Sequence, residues 1–188
     1  LGMSDGDAGR VRERLRRSIK FLQSCFTAVE KTRQPVIAAI HGACVGAGVD
    51  LVSSADIRLA TEGAWFSIKE VDVGIVADVG TLQRCSSLLP GGVLRELALT
   101  GRKYPTYEAV SHGFVNRSFP DQDTLIAAAI KLAEEIAAKS PLAVTGTKAI
   151  INHARDNSVD DSLDYVATWN SGQLISEDVA KAGMATMT

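Results

Sequence analysis

The chain has 188 residues, of which 46% are hydrophobic and 22% are charged, and its formal net charge at pH 7 is −2. These values are typical of a folded globular protein and exclude a disordered or strongly basic one, so nothing in the composition favours nucleic acid or an anionic membrane as a partner. No apolar run reaches the roughly 18 residues that a transmembrane helix needs. Three cysteines without a C-x-x-C pair favour a reducing compartment or the mitochondrial matrix.

The apolar pattern predicts strands and helices in alternation. We expect a helix over 10–32, followed by a strand over 35–40, a glycine-rich turn over 41–48 and a helix over 49–55. Two strands are expected next, over 56–60 and 64–68. Helices over 81–89, 93–100 and 107–112 and a strand over 113–120 complete this part of the chain. From residue 124 onward only helices are predicted, over 124–139, from Pro141, over 160–174 and over 178–185. The prediction is therefore an α/β fold with at least partly parallel strands, divided into a core over 1–120 and a helical region over 121–188.

Five arginines between Arg10 and Arg17 form a basic cluster near the start of the chain. Apolar residues such as Val11, Leu15 and Ile19 recur among them at four-residue steps. This spacing predicts an amphipathic helix whose arginines face solvent, and we prefer that interpretation to a targeting peptide or a nucleic-acid site.

The segment from Gln34 to Gly80 has the features of an active site. A buried strand, a turn of small residues and a helix follow one another, and this geometry leaves the first N–H groups of the helix free to bind an anion. Three carboxylates, Asp50, Glu70 and Asp78, follow within the same segment. Apolar neighbours on both sides of Asp78 predict a sheltered carboxylate.

Other residues of this segment fit structural roles. A structural alternative for Glu70 is an ion pair with Lys69 or with an exposed arginine. Asp72 is predicted to be a surface charge or a hydrogen-bond acceptor in a loop. We expect Asp56 to cap or pair structurally and His41 to form a structural hydrogen bond. The chain has no H-E-x-x-H motif and no Cys/His cluster, so no metal is expected.

Gln34–Leu51, together with Ala55-Asp-Ile-Arg58 and Gly80–Arg84, resembles the crotonase superfamily of acyl-CoA enzymes. Within it, Lys69–Arg84 is similar to the Δ3,5-Δ2,4-dienoyl-CoA isomerases rather than to ordinary enoyl-CoA hydratases. The resemblance implies a crotonase-type spiral of ββα units with a helical C-terminal trimerisation region. It also implies an acyl-CoA thioester as substrate, no separate cofactor, homotrimers or hexamers, and a location in the mitochondrial matrix or, alternatively, the peroxisome.

The resemblance also implies roles for individual residues. Asp78 would take a proton from C2 of a 3,5-dienoyl-CoA, Glu70 would return one at C6, and Asp50 would orient or tune this pair. The Ala47 N–H would be one oxyanion donor, where the family has glycine. The resemblance further implies that Gly46, Val73 and Gly74 contact substrate.

The second oxyanion donor of the family lies in an Ala/Ser-Gly-x-Asp loop that this sequence does not contain. Either the chain lacks an N-terminal part that carries this loop, or the second oxyanion donor comes from elsewhere. We prefer the first interpretation, because an open spiral would expose sheet edges. Two alternatives to the isomerase stay open at this point: a 2-enoyl-CoA hydratase, and a non-catalytic acyl-CoA-binding or scaffolding protein.

Overall fold

The computed structural model describes residues 7–179 of the chain. Its contacts group the chain into two compact units, one made of Leu1–Thr32 and Val36–Ala129 and the other of Arg33–Pro35 and Ile130–Thr188. The boundary predicted from sequence, between residues 120 and 121, stays a prediction.

Strands and most helices belong to the first unit. The helices are α1 (Ala8–Lys31), α2 (Ala47–Ser53), α3 (Thr81–Leu88), α4 (Gly91–Thr100) and α5 (Thr106–Ser111). The strands are β1 (Ile37–Ile40), β2 (Ala43–Val45), β3 (Ile57–Thr61), β4 (Trp65–Ser67), β5 (Tyr104–Pro105) and β6 (Arg117–Phe119). A 3-10 turn spans Glu70–Val73. Helix α6 (Gln122–Ala137) contains the boundary between the units, and α7 (Pro141–Asp156) and α8 (Val159–Gln173) belong to the second unit.

The strands form two small sheets. In the first, the order is β1-β3-β6 and both pairs are parallel, with Ile37 opposite Ile57. In the second, the order is β2-β4-β5, where β2 and β4 are parallel and β4 and β5 are antiparallel. The predicted α/β class with partly parallel strands is confirmed.

Two short strands were not predicted. Ala43–Val45 lies inside the segment predicted as a turn, and Tyr104–Pro105 lies between two predicted helices. Both exist because they pair with β4, which is a tertiary interaction that a local pattern does not contain. Most of the predicted helix over 178–185 lies outside the described residues.

Aromatic packing and a buried arginine hold the core of the first unit together near the end of α2. Phe66 of β4 packs edge-on against Phe114, with ring centroids 5.2 Å apart. The buried guanidinium of Arg58 donates to the carbonyl oxygens of Phe114 at 2.6 Å and Ala55 at 2.7 Å. Ala55 lies two residues after the end of α2, and Arg58 also donates to the carbonyl of Val52 within α2 at 3.3 Å. This arginine therefore fixes the end of the helix that carries Asp50.

Helix α1 has the amphipathic character that the sequence predicts. Its arginines are exposed, whereas Val11 and Ile19 are half-buried. Leu15 and Leu22, on the same predicted stripe, are exposed as well. The solvated position of the basic cluster is confirmed.

In the second unit, α7 begins as predicted. Ser140 accepts a hydrogen bond from the Ala143 N–H at 3.4 Å, and Pro141 occupies the first helical turn. Helices α7 and α8 border a groove of about 410 Å³ with a mainly apolar lining. Between residues 7 and 179, no helix is both long and apolar enough to cross a membrane.

Candidate active site

The turn between β2 and α2 is built around Gly46. Its N–H donates to the Ser67 carbonyl of β4 at 3.0 Å, and its φ of +54° is one that residues with a side chain rarely adopt. Ala47 is the first residue of α2, so its N–H has no acceptor within the helix. No non-glycine residue from 7 to 179 has a positive φ, so the alanine methyl at position 47 causes no backbone strain.

Asp50 is fully buried on α2. One carboxylate oxygen, Oδ1, accepts hydrogen bonds from both the N–H and the hydroxyl of Thr81, each at 2.6 Å. The other oxygen, Oδ2, is buried and receives no hydrogen bond from the described residues. Asp50 therefore joins α2 to the start of α3 with one oxygen and leaves the second one free.

Glu70 begins the 3-10 turn, and its carboxylate lies against Gly46. A Cβ atom at Gly46 would stand 3.3 Å from Glu70 Oε1. The second oxygen, Oε2, is buried without a hydrogen-bond donor from residues 7–179. Burial raises the pKa of Glu70, and repulsion by Asp50 and, more weakly, by Asp78 raises it further. Asp50 and Asp78 are therefore both close enough to Glu70 for their charges to act on it.

The structure excludes the ion pair between Glu70 and Lys69 that the sequence left open. The Lys69 ammonium instead pairs with Asp72 and donates to the Gly101 carbonyl at 3.2 Å. Asp72 is exposed, as expected for a surface charge. Glu70 consequently keeps a buried oxygen that structural contacts do not use.

Asp78 contradicts one expectation. Its side chain is exposed rather than sheltered, although the adjacent Ala77 is buried in the core. Ile75 and Val76, earlier in the same run, are 56% and 73% exposed. A run of apolar residues encloses a carboxylate only when the chain folds over it, and this segment is an open loop. The Asp78 carbonyl accepts a hydrogen bond from Gln23 of α1 at 2.6 Å, which holds the loop in place.

Val73 and Gly74 lie where the 3-10 turn ends. Val73 is 71% exposed, and Gly74 adopts a left-handed φ of +76° that ends the turn. Their contact with substrate stays a prediction.

Sequence reasoning missed the contacts that fix the start of α3. Arg84 Nε pairs with Glu30 of α1 at 2.7 Å, and Arg84 Nη2 donates to Thr27 at 3.0 Å. Arg84 also covers Gly80, which precedes α3 and has a φ of +132°. The helical composition of residues 81–89 predicts a helix that begins at Thr81, whereas the partner of the Thr81 hydroxyl is not visible in sequence.

His41, Asp56 and Cys44 are either hydrogen-bonded to the protein or buried, as expected for residues with structural roles. His41 Nδ1 lies 3.2 Å from the Thr61 hydroxyl, which confirms its structural role. Asp56 accepts from the Val36 N–H at 2.7 Å. Burial raises the pKa of Cys44 to about 11, so this thiol is a poor nucleophile. Within residues 7–179 no group of three His, Cys, Asp or Glu side chains forms a metal-ligand set.

Comparison with protein families identifies the chain. The model of the enoyl-CoA hydratase/isomerase family matches residues 9–187. The chain belongs to the enoyl-CoA hydratase/isomerase family. This result confirms the resemblance to the crotonase superfamily that the glycine turn and the carboxylates carried.

Among relatives in this family, the peroxisomal Δ3,5-Δ2,4-dienoyl-CoA isomerase of Arabidopsis thaliana is 53% identical over 98% of this chain and 66% of its own length. The mitochondrial enzyme of the same name from Rattus norvegicus is 49% identical over 96% of this chain and 56% of its own length. The chain thus spans between about half and two thirds of these relatives.

A solved enoyl-CoA hydratase from Bacillus anthracis shares the fold of this family member. It superposes with a TM-score of 0.89 at 30% identity, covering 99% of this chain and 69% of its own. The crotonase fold expected from sequence is therefore confirmed.

Gly46 combines a positive φ with close contact to the Glu70 carboxylate. We expect Gly46→Ala to reduce the free energy of unfolding by about 1–3 kcal/mol, because alanine must adopt a positive φ and its methyl meets Glu70. Urea unfolding measures the change. Gly63→Ala is the matched control, since its added methyl contacts nothing within 4 Å. Equal stability of the two variants would contradict the account of this turn.

Proposed function

We propose that the protein isomerises 3,5-dienoyl-CoA to 2,4-dienoyl-CoA in the β-oxidation of unsaturated fatty acids. The observation that carries this proposal is the carboxylate cluster of Asp50, Glu70 and Asp78, in which two buried oxygens have no hydrogen-bond donor from the described residues. A buried oxygen without a partner costs free energy, and a proton or a substrate group removes that cost. The identity of about half of the residues to dienoyl-CoA isomerases supports the same reaction.

The reaction moves one proton. Asp78, as base, removes a proton from C2, and the electron pair spreads through a dienolate to the thioester oxygen. Glu70, as acid, then protonates C6, which leaves the double bonds at C2 and C4. Exchange with water returns Glu70 to the acid form and Asp78 to the base form. Two separate groups suit a transfer between carbons that lie at opposite ends of a conjugated system.

The environments of the carboxylates support this assignment of roles. Burial and two neighbouring carboxylates raise the pKa of Glu70, so it holds a proton at higher pH than an ordinary glutamate does. Asp78 is exposed, so solvent reaches its carboxylate. Asp50 is assigned the auxiliary role of an electrostatic neighbour.

The Ala47 N–H is proposed as one oxyanion donor for the thioester oxygen. Its place at the start of α2, beside the carboxylate that approaches Gly46, supports this role. A donor of this kind contributes about 3 kcal/mol to transition-state stabilisation. Gly46, Val73 and Gly74 are proposed to contact the substrate, and the proposal needs no metal or redox cofactor.

Assembly and location are further parts of the proposal. Large apolar side chains such as Ile151, Val159 and Leu163 are 64%, 76% and 59% exposed on α7 and α8, which supports burial in a trimer or a dimer of trimers. The relatives carry mitochondrial and peroxisomal names, and the mitochondrial matrix is proposed first, with the peroxisome as the alternative.

An ultraviolet assay tests the reaction. The full-length protein is given a 3,5-dienoyl-CoA, and a 2-enoyl-CoA hydration assay is run in parallel. We expect the absorbance of the conjugated 2,4-dienoyl thioester to appear. Hydration without isomerisation would replace the proposal by a hydratase, and folded protein that is silent in both assays would favour a binding or scaffolding role.

A further inference from the structure

Thr81 holds the Asp50 carboxylate with two donors at once. Its N–H and its hydroxyl both reach Asp50 Oδ1 at 2.6 Å, and both residues are fully buried. Asp50 Oδ2, in contrast, is buried without a donor from residues 7–179. Two short hydrogen bonds therefore fix Oδ1 of Asp50, whereas Oδ2 has no hydrogen-bond donor among the described residues.

These contacts hold the Asp50 carboxylate in one position. Hydrogen bonds donated to a carboxylate stabilise its anion, and they are stronger than bonds between neutral groups. The Thr81 N–H is also the first of helix α3, at the positive end of the helix dipole. Burial and repulsion by the Asp50 carboxylate raise the pKa of Glu70, so the position of Asp50 bears directly on how tightly Glu70 holds its proton.

We propose that Thr81 is a positioning residue that holds the Asp50 carboxylate in the place from which it acts on Glu70, the residue that delivers the proton. This inference rests on the proposed isomerase function, in which Glu70 protonates C6. Thr81 does not contact the reacting atoms in this account. It acts through Asp50 alone.

Other ionisable groups around the pair do not replace this effect. Asp78 repels the Glu70 carboxylate as Asp50 does, but it ranks below Asp50 among the causes. Cys85 of α3 lies near Asp50, and burial raises its pKa to about 12, so it stays a neutral thiol. Arg58 and Arg84 both influence Cys85, but Arg58 is bound to carbonyl oxygens and Arg84 to Glu30.

The test compares Thr81→Val, which keeps the shape but loses the hydroxyl, with Thr81→Ser, which keeps the hydroxyl. Carboxyl-¹³C glutamate is incorporated into the full-length protein, and the Glu70 signal is identified by its loss in Glu70→Gln. We expect Thr81→Val to lower the titration midpoint of Glu70 by about one pH unit and kcat by about tenfold, with little change in KM. Thr81→Ser should keep both values close to those of the original protein.

A double variant shows whether Thr81 acts through Asp50. Asp50→Asn should itself lower the Glu70 midpoint, and adding Thr81→Val should shift it no further, because the coupled effect is already lost. An unchanged midpoint in Thr81→Val, a further shift when Thr81→Val is added to Asp50→Asn, or a Thr81→Ser variant that behaves like Thr81→Val would each overturn the proposal. Thr81→Ala repeats the test if Thr81→Val does not fold.

The two proposals fail in distinguishable ways. The Glu70 midpoint is measured without substrate, so it reports on Thr81 whether or not the protein converts dienoyl-CoA. Absence of isomerisation by the unsubstituted protein would overturn the proposed function and leave the midpoint result intact.

Discussion

Glu70→Gln is expected to lower kcat for dienoyl-CoA isomerisation by about 10²–10⁴-fold, because glutamine has the shape of glutamate but cannot donate a carboxylic proton. The same change is expected to stabilise the folded protein above neutral pH. Glu70 sits among carboxylates and keeps one buried oxygen without a donor from the described residues. Glutamine is neutral, so it avoids the cost of a charged carboxylate that is partly buried beside Asp50 and Asp78.

The sign of the stability change follows from the direction of the pKa shift. Folding raises the pKa of Glu70, so the folded state binds the proton more tightly than the unfolded state does. Stability is therefore lost as pH rises from the ordinary glutamate pKa to the raised one, and the penalty is complete above the raised value. Glu70→Gln should abolish this part of the pH dependence.

Urea unfolding between pH 4 and 9, together with kcat, measures both effects; that range spans the ordinary glutamate pKa and values raised well above it. Glu62→Gln serves as the matched control, since Glu62 is an exposed glutamate at the end of β3. A Glu70→Gln variant with full activity, or with an unchanged pH dependence of stability, would contradict the role given to Glu70.

Asp78→Asn is expected to lower kcat by a similar factor of about 10²–10⁴, because the base for C2 is lost. Its stability should stay within about 0.5 kcal/mol of the original protein, since the side chain is exposed. The bond between the Asp78 carbonyl and Gln23 uses the main chain and survives the substitution. Loss of activity without loss of stability is thus the expected signature.

Asp72→Asn is the control for Asp78→Asn. Asp72 is also an exposed aspartate of this segment, and it pairs with Lys69. We expect the kcat of Asp72→Asn to stay within about twofold of that of the unsubstituted protein, because an exposed ion pair contributes little to stability. Comparable losses in both aspartate variants would show that the loop, and not the Asp78 carboxylate, is needed.

The sequence predicted the parts of this site that depend on local pattern. A strand, a small-residue turn and a helix were predicted where β1, the Gly46 turn and α2 lie, because glycine conformation and apolar runs are local properties. The resemblance named Asp50, Glu70 and Asp78 as one set, and in the folded chain the charges of Asp50 and Asp78 both act on Glu70. Their catalytic roles stay predictions.

Long-range contacts explain what the sequence did not predict. The pairing of β2 with β4 and the bonds from Thr81 to Asp50, which is 31 positions away, depend on the folded chain. The exposure of Asp78 has the same origin, since apolar neighbours shelter a side chain only if other elements cover them. The pairing of Lys69 with Asp72 rather than with Glu70 also depends on the folded chain, because both carboxylates lie within three positions of Lys69 in the sequence.

Isomerisation of a 3,5-dienoyl-CoA in D₂O is the measurement that tests the central claim most directly. If Asp78 takes the C2 proton and Glu70 supplies a different one, the conjugated product carries a solvent deuteron at C6, and this product is nearly absent with Glu70→Gln. Nuclear magnetic resonance of the product locates the label. Transfer of the substrate's own C2 hydrogen to C6, or a product with deuterium at C2 and a hydroxyl at C3, would contradict the account.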